Sequence, residues 1–174
     1  SLGEPLAFAM TFPPGTHDLF VAMSYARLNA ARAEKCAAAK SAGYRLASYL
    51  STRASVWDGF EPGENCFILE DNTIQPFVRI GDNVPLWSGN HIGHHAKLGA
   101  NCFITSHVVI SGGVQVGENA FIGVNSTVRD HVTIGARSVI GAGSVVLKDV
   151  PDDGVVAARG SELSKVPSHR LRRL

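Results

Sequence analysis

Cysteine is scarce in this sequence, and three thiols in 174 residues, an odd count without framework spacing, exclude a disulfide-stapled fold. Charge is scarce as well. Only 18% of residues are Asp, Glu, Lys or Arg, and 16 basic against 15 acidic side chains leave a formal +1. A nucleic-acid binder with a basic face is therefore not expected. The one basic run, Arg170, Arg172 and Arg173, falls in the last five residues and reads as a solvated tail. No apolar run approaches the ~18 residues of a membrane-spanning helix. The N-terminus has no charged start followed by an apolar stretch, so a signal peptide is not expected and a cytoplasmic protein is. What is present is 45% apolar, with mean hydropathy +0.08. That suffices to bury the core of one domain.

The informative feature is a period of six. Every sixth residue from Ile68 to Val146 is Ile, Leu or Val, fourteen positions without a miss. Two residues before each stands nothing larger than Val or Asn, and Gly follows half of them, as at Gly81, Gly93, Gly99 and Gly117. Neither a 3.6-residue helix nor a simple period-2 strand gives a strict six. A short strand plus a turn does. Three hexads then close a triangular coil of 18 residues, and successive coils pair at the inter-strand spacing of ~4.8 Å. The large aliphatic fills the coil, the small residue leaves it room, and Gly relieves the turn. The predicted fold is an all-β solenoid, a left-handed parallel β-helix, with strict register over 66–147. Cys66 and Cys102, 36 residues apart, fall two coils apart in one column, too far for a disulfide, and read as small inward packers.

The flanks read differently. Asp18–Ser24 has strand character, 26–42 is an Ala-rich helix by propensity with Gly43 as its stop, and 46–50 reads as a second strand. This partial α/β unit carries no G-x-G-x-x-G fingerprint and is too small to fold alone. Turn residues over 148–154 end the period, and Val155–Ala158 reads as a last strand. The division is thus 1–50, an N-terminal unit; 51–158, the β-helix; and 159–174, a tail.

Three of the seven histidines cluster in Asn90-His-Ile-Gly-His-His-Ala96. Ile92 belongs to the inward column, which puts His91, His94 and His95 at or near an outer corner. Surface histidines on a solenoid are ordinarily solvated turn residues. One coil above His94 and His95, however, stand Gly112 and Gly113, which remove side chains from beside the imidazoles and bare a backbone N–H. Two glycines also suit a tight turn needing positive φ. A base beside a bare N–H is the pairing that acyl transfer requires.

The hexads and the run from Trp87-Ser-Gly-Asn-His-Ile-Gly-His-His-Ala-Lys-Leu-Gly99 to Ser111-Gly-Gly-Val114 resemble the hexapeptide-repeat acyltransferases. The likeness is to the sialic-acid O-acetyltransferase and bacillosamine N-acetyltransferase group, and more distantly to the UDP-N-acetylglucosamine acyltransferase of lipid A synthesis. It spans roughly 18–158. The resemblance implies acetyl transfer from acetyl-CoA to an amine or hydroxyl of a nucleotide-linked sugar, in a homotrimer whose inter-subunit groove holds the donor. It implies His94 as general base, Gly112 N–H as oxyanion donor, and His91, with Asn90 and His95, on the acceptor. Gly113, Gly135, Gly141, Gly143 and Lys148 would face the donor, the glycines letting pantetheine approach and Lys148 meeting a phosphate. No metal is implied. The sequence departs from these families in three ways: His95 stands where an acidic residue orients the base, a C-terminal G-x-P-A-[KR] is absent, and the N-terminal unit corresponds to only part of a complete α/β domain.

Other readings stand beside this one. γ-class carbonic anhydrases share the β-helix and bind zinc through three histidines. His95 and His131 are 36 apart, which suits the first interval, but Ala136 occupies the third position and zinc catalysis needs three protein ligands. An acyl-carrier-protein donor would call for a basic docking surface, and only the tail offers one. A non-catalytic scaffold would tolerate loss of His94.

Overall fold

In the computed structural model, which describes residues 11–158, 160, 161 and 166–170, the hexads become two-residue strands joined by four-residue corners. The first face has seven strands, from Tyr49–Leu50 to Val155–Val156. The second has six, from Ser55–Val56 to Val145–Val146, and the third has four, from Arg79–Ile80 to Thr133–Ile134. Every ladder is parallel, and Ile92 lies opposite both Ile74 and Ile110, 18 residues to either side. The fold is a left-handed β-helix of about six turns. All fourteen periodic aliphatics point inward, none more than 6% exposed. Full burial of each contributes roughly 1.5–3 kcal/mol.

The solenoid is longer than its periodic stretch. Tyr49–Leu50 pairs with Phe67–Ile68, and Ser55–Val56 with Thr73–Ile74. The aliphatic column passes through Leu50 and Val56 but meets Pro62 where the next inward residue belongs. Pro62 leaves that rung without an aliphatic; Gly63 N–H still donates to Ile80 O at 3.2 Å, but the regular third face begins one coil later, at Arg79–Ile80. At the other end the last coil is short. Val150 lies opposite Ile134 and Val155 opposite Val139, 16 residues on rather than 18.

The N-terminal segment departs from expectation. Asp18–Ser24 forms no regular strand; a single parallel bridge joins Leu19 to Leu46. The helix is shorter than 26–42. It runs Ala30–Ser41 (α1) because Arg27, Leu28 and Asn29 all take positive φ, which stops helical bonding N-terminal to Ala30. Gly43, at φ +88°, ends it as expected. Phe20 lies on Phe67 and Tyr25 against Phe103 and Phe121, with ring centroids 4.9–5.4 Å apart, so the segment covers aromatics of the first face. The expected tail over 159–174 falls mostly outside the described residues, Arg172 and Arg173 among them; Ser168–Arg170 forms a single 3-10 turn.

One buried cation ties α1 to the solenoid. Arg32 is 1% exposed, and it donates to Asn83 Oδ1 and to the carbonyls of Ser24, Asn83, Asn101 and Cys102, at 2.9–3.2 Å. Its guanidinium also lies 5.5 Å from the Phe103 ring centre. No carboxylate among the described residues pairs with it, and burial pulls its pKa down to about 10. Neutral acceptors at six points, Asn29 Oδ1 among them at 3.1 Å, offset that desolvation. Burial likewise pushes the Cys66 and Cys102 thiols up, to about 11 and about 12, and their Sγ atoms donate to the Gly81 and Gly117 carbonyls. They are inert packing groups. Arg32→Ala is expected to lower the unfolding free energy by about 2–4 kcal/mol in urea titration, with Arg32→Lys restoring less than half, since an ammonium cannot reach acceptors spread over two coils and the N-terminal segment.

Candidate active site

The edge between the second and third faces is a stack of similar turns. His94 and His95 form one of them, above Pro76 and Phe77 and below Gly112 and Gly113; Asp130 and His131 form the next. Backbone bonds lock the stack. His95 N–H donates to Pro76 O at 3.0 Å, Gly113 N–H to His94 O at 2.8 Å, and His131 N–H to Gly112 O at 3.0 Å. The second turn residue is left-handed throughout, with φ +63° at Phe77, +60° at His95, +70° at Gly113 and +59° at His131.

The glycine pair shapes what these imidazoles can do. A Cβ built on Gly112 would lie 2.7 Å from His94 Cε1 and Nε2, so the His94 ring occupies the space that a side chain at 112 would take. His131 covers Gly113 in the same way from above. Gly113 N–H is bonded within the stack, whereas no described acceptor takes the N–H of Gly112. The arrangement leaves one free backbone donor beside one imidazole edge.

His95 completes the pair. Its Nδ1 lies 3.1 Å from His94 Nδ1, and the rings stand nearly perpendicular at 86°. Phe77 packs on His95 from the coil below, centroids 4.8 Å apart. Two neutral imidazoles can hydrogen-bond this way only if one Nδ1 donates and the other accepts. When His94 donates, its Nε2, the edge facing Gly112, keeps a lone pair. Gln75 Oε1 accepts from His94 N–H at 2.9 Å and fixes the turn from beneath.

The remaining candidates scatter. His91 is half-buried on the second face, between Thr73 and Val109. Asn90 corrects the expectation of an acceptor contact. It points into the coil at 1% exposure, its Nδ2 donating to Trp87 O and its Oδ1 accepting from Val108 N–H. Lys148 sits in the shortened top corner of the His94 edge, exposed. Gly135 lies on the edge between the third and first faces, and Gly141 and Gly143 on the edge between the first and second. Gly135 and Gly141 abut the backbone of the coil above, at Asp152 and Ala158, so coil stacking itself requires them. Beside the His94–His95 pair opens a groove of about 720 Å³ that also takes in Arg79, Lys97, Gln115 and His131, none of which belongs to the histidine cluster. One step of 18 along the sequence from His95 or Lys97 reaches Phe77, Arg79 and Gln115, and a second step from His95 reaches His131.

The family described as bacterial transferase hexapeptide (six repeats) matches residues 113–148. PerB, a perosamine N-acetyltransferase from Caulobacter crescentus solved with CoA and GDP-perosamine, shares 32% identity over 86% of this chain and 69% of that one, with a TM-score of 0.79. The chain belongs to the hexapeptide-repeat sugar acetyltransferases. The acetyltransferase domain of PglB from Neisseria gonorrhoeae FA1090 is similar to this acetyltransferase at 25% identity and TM-score 0.81, covering 88% of it and 73% of the other chain. WeeI from Acinetobacter baumannii AYE, at 20% identity and TM-score 0.51, shares the fold. No curated protein sequence matches the chain. Among the described residues no helix is long and apolar enough to cross a membrane.

Two alanine substitutions separate site from scaffold. The atoms nearest a Cβ at Gly112→Ala are all in the movable His94 ring, so the ring should rotate away from His95 with little change in Tm. Gly123→Ala would put Cβ 2.6 Å from Ala142 N in the next coil, and this overpacking should cost about 1–3 kcal/mol. Thermal denaturation together with imidazole 15N shifts checks both.

Proposed function

We propose that the His94–Gly112 corner transfers an acetyl group from acetyl-CoA to the amine of a nucleotide-linked amino sugar. The observation carrying this is the His94 ring lying over the Gly112 backbone, next to the only N–H of that glycine pair left unbonded in the stack. An amine acceptor is favoured because the relative at 32% identity is an N-acetyltransferase solved with GDP-perosamine.

The reaction needs one base, one oxyanion donor and an aligned pair of substrates. His94 Nε2 takes a proton from the acceptor amine as its nitrogen attacks the thioester carbonyl. The carbonyl electrons move onto oxygen, where the Gly112 N–H donates to the developing charge. Collapse of the tetrahedral intermediate breaks the C–S bond, and the proton held by His94 passes to the departing sulfur, which leaves as CoA thiol. Atoms and charge balance with no acetyl-enzyme and no metal in the sequence of steps.

His95 takes the place of the acidic residue expected there. Accepting from His94 Nδ1–H, it holds the tautomer that leaves Nε2 free, though it stabilises the imidazolium less than a carboxylate would. We also infer a C3 trimer, with each groove closed by a neighbouring subunit to give three sites per particle.

Calorimetry and thiol release with a panel of nucleotide amino sugars test the reading. His94→Ala should bind acetyl-CoA within about twofold of the wild type and lose turnover by about 10²–10⁴-fold. His95→Asn, whose Oδ1 replaces Nδ1 as acceptor and which tolerates left-handed backbone, should retain most of kcat. His95→Ala should lose about tenfold in kcat at unchanged KM. A folded wild type that binds no acetyl-CoA would overturn the assignment.

A further inference from the structure

The groove beside His94 extends onto the third face, and its charges there are unbalanced. Arg79 and Lys97 are both exposed, and neither has an acidic partner among the described residues. They stand directly opposite each other in the parallel ladder, on backbones about 4.8 Å apart. Like charges so placed destabilise a sheet. Elsewhere the solenoid stacks opposite charges from coil to coil, Arg53 on Asp71 and Arg137 on Asp153, or bridges like ones, as Lys40 of α1 bridges Glu64 and Asp82. In the groove it stacks a cation on a cation. The next rung is neutral Gln115, and no Asp or Glu lines the groove, whose other titratable groups are His94, His95 and His131.

We propose that Arg79 and Lys97 cradle a phosphate group, in the form of a diphosphate, that enters the groove as part of a substrate. A guanidinium offers paired donors to phosphate oxygens, and an ammonium on the neighbouring strand adds a second point charge. Bound diphosphate removes the repulsion that the empty ladder carries. The owner of that diphosphate follows from the acetyl-transfer reading, on which this part rests. Both a nucleotide sugar and CoA contain one. In CoA the long pantetheine arm separates it from the thioester, whereas in a nucleotide sugar it is joined directly to the sugar ring. Lys97 lies three residues from His94 in the same groove, which fits the compact acceptor.

The test uses Arg79→Gln, Lys97→Gln and Lys97→Arg in the full chain. Inorganic pyrophosphate, a nucleoside diphosphate and acetyl-CoA are titrated separately by calorimetry at low salt. Neutralising one of two repelling charges should leave Tm unchanged or slightly raised, which shows that the variants fold. Each Gln variant should weaken pyrophosphate and nucleoside diphosphate at least tenfold, Lys97→Arg should restore binding, and acetyl-CoA should move less than twofold. A loss confined to pyrophosphate and acetyl-CoA would support the cradle and assign it to the donor. Unchanged binding of all three would overturn the cradle, as would a change only in oligomeric mass, which would make a neighbouring subunit's carboxylates the counter-charge. Pyrophosphate binding is read without turnover, so failure of the acetyl-transfer reading would show separately, as a wild type that ignores acetyl-CoA.

Discussion

Stacking at ~4.8 Å is the constraint from which the rest of this structure follows. Coils that close every 18 residues bring backbone against backbone at each corner, and the corner must turn sharply without a side chain in the way. Glycine after the inward aliphatic answers the first demand: a Cβ on Gly93 would lie 2.6 Å from Gly112 N, and one on Gly99 2.8 Å from Glu118 N. Left-handed backbone at the second turn residue answers the other, at Asn83, Asn101 and Asn119 on one edge and at Phe77, His95 and His131 on another. The candidate active site uses both devices at once. Where side chains at 112 and 113 are missing, imidazoles from the coils below and above fill the space.

Because the fold is one turn repeated, its function lies in the departures from the repeat. The three edges have nearly the same backbone, yet they differ in what the left-handed position carries. The edge between the third and first faces has asparagines, whose amides bond coil to coil and receive Arg32 from α1. The edge between the second and third has histidines and the glycine gap. Charge follows the same logic: elsewhere stacked charges are opposite, as Arg53 on Asp71, or bridged by a counter-charge, as Lys40 bridges Glu64 and Asp82, whereas the like charges beside the histidines have no such partner among the described residues.

Much of this was legible in the residues alone. The period of six specified coil, core and register, since a closed turn of 18 residues puts fourteen aliphatics spaced by six on three inward-facing columns. It also placed Gly112 above His94. The strict register could be traced only from Cys66 because Pro62 interrupts the aliphatic column, although Leu50 and Val56 hold their places. Asn90 was misplaced by its neighbours: it belongs to the small inward column, and its amide serves the coil. Asp18–Ser24 has the composition of a strand, but its aromatic and apolar side chains lie across a face already formed. The His94–His95 contact could not be read from sequence, because adjacent residues share an edge only when the second takes left-handed φ. Arg79 and Lys97 were within reach of simple counting by 18, yet no local motif marks them.

The central claim is that acetyl transfer happens at the edge where His94 lies over Gly112. A crystal structure of the protein with CoA bound tests it most directly. The CoA sulfur is expected at that edge, within contact distance of the His94 imidazole and of the Gly112 N–H. A sulfur bound along either of the other two edges, with His94 facing only solvent, would contradict it.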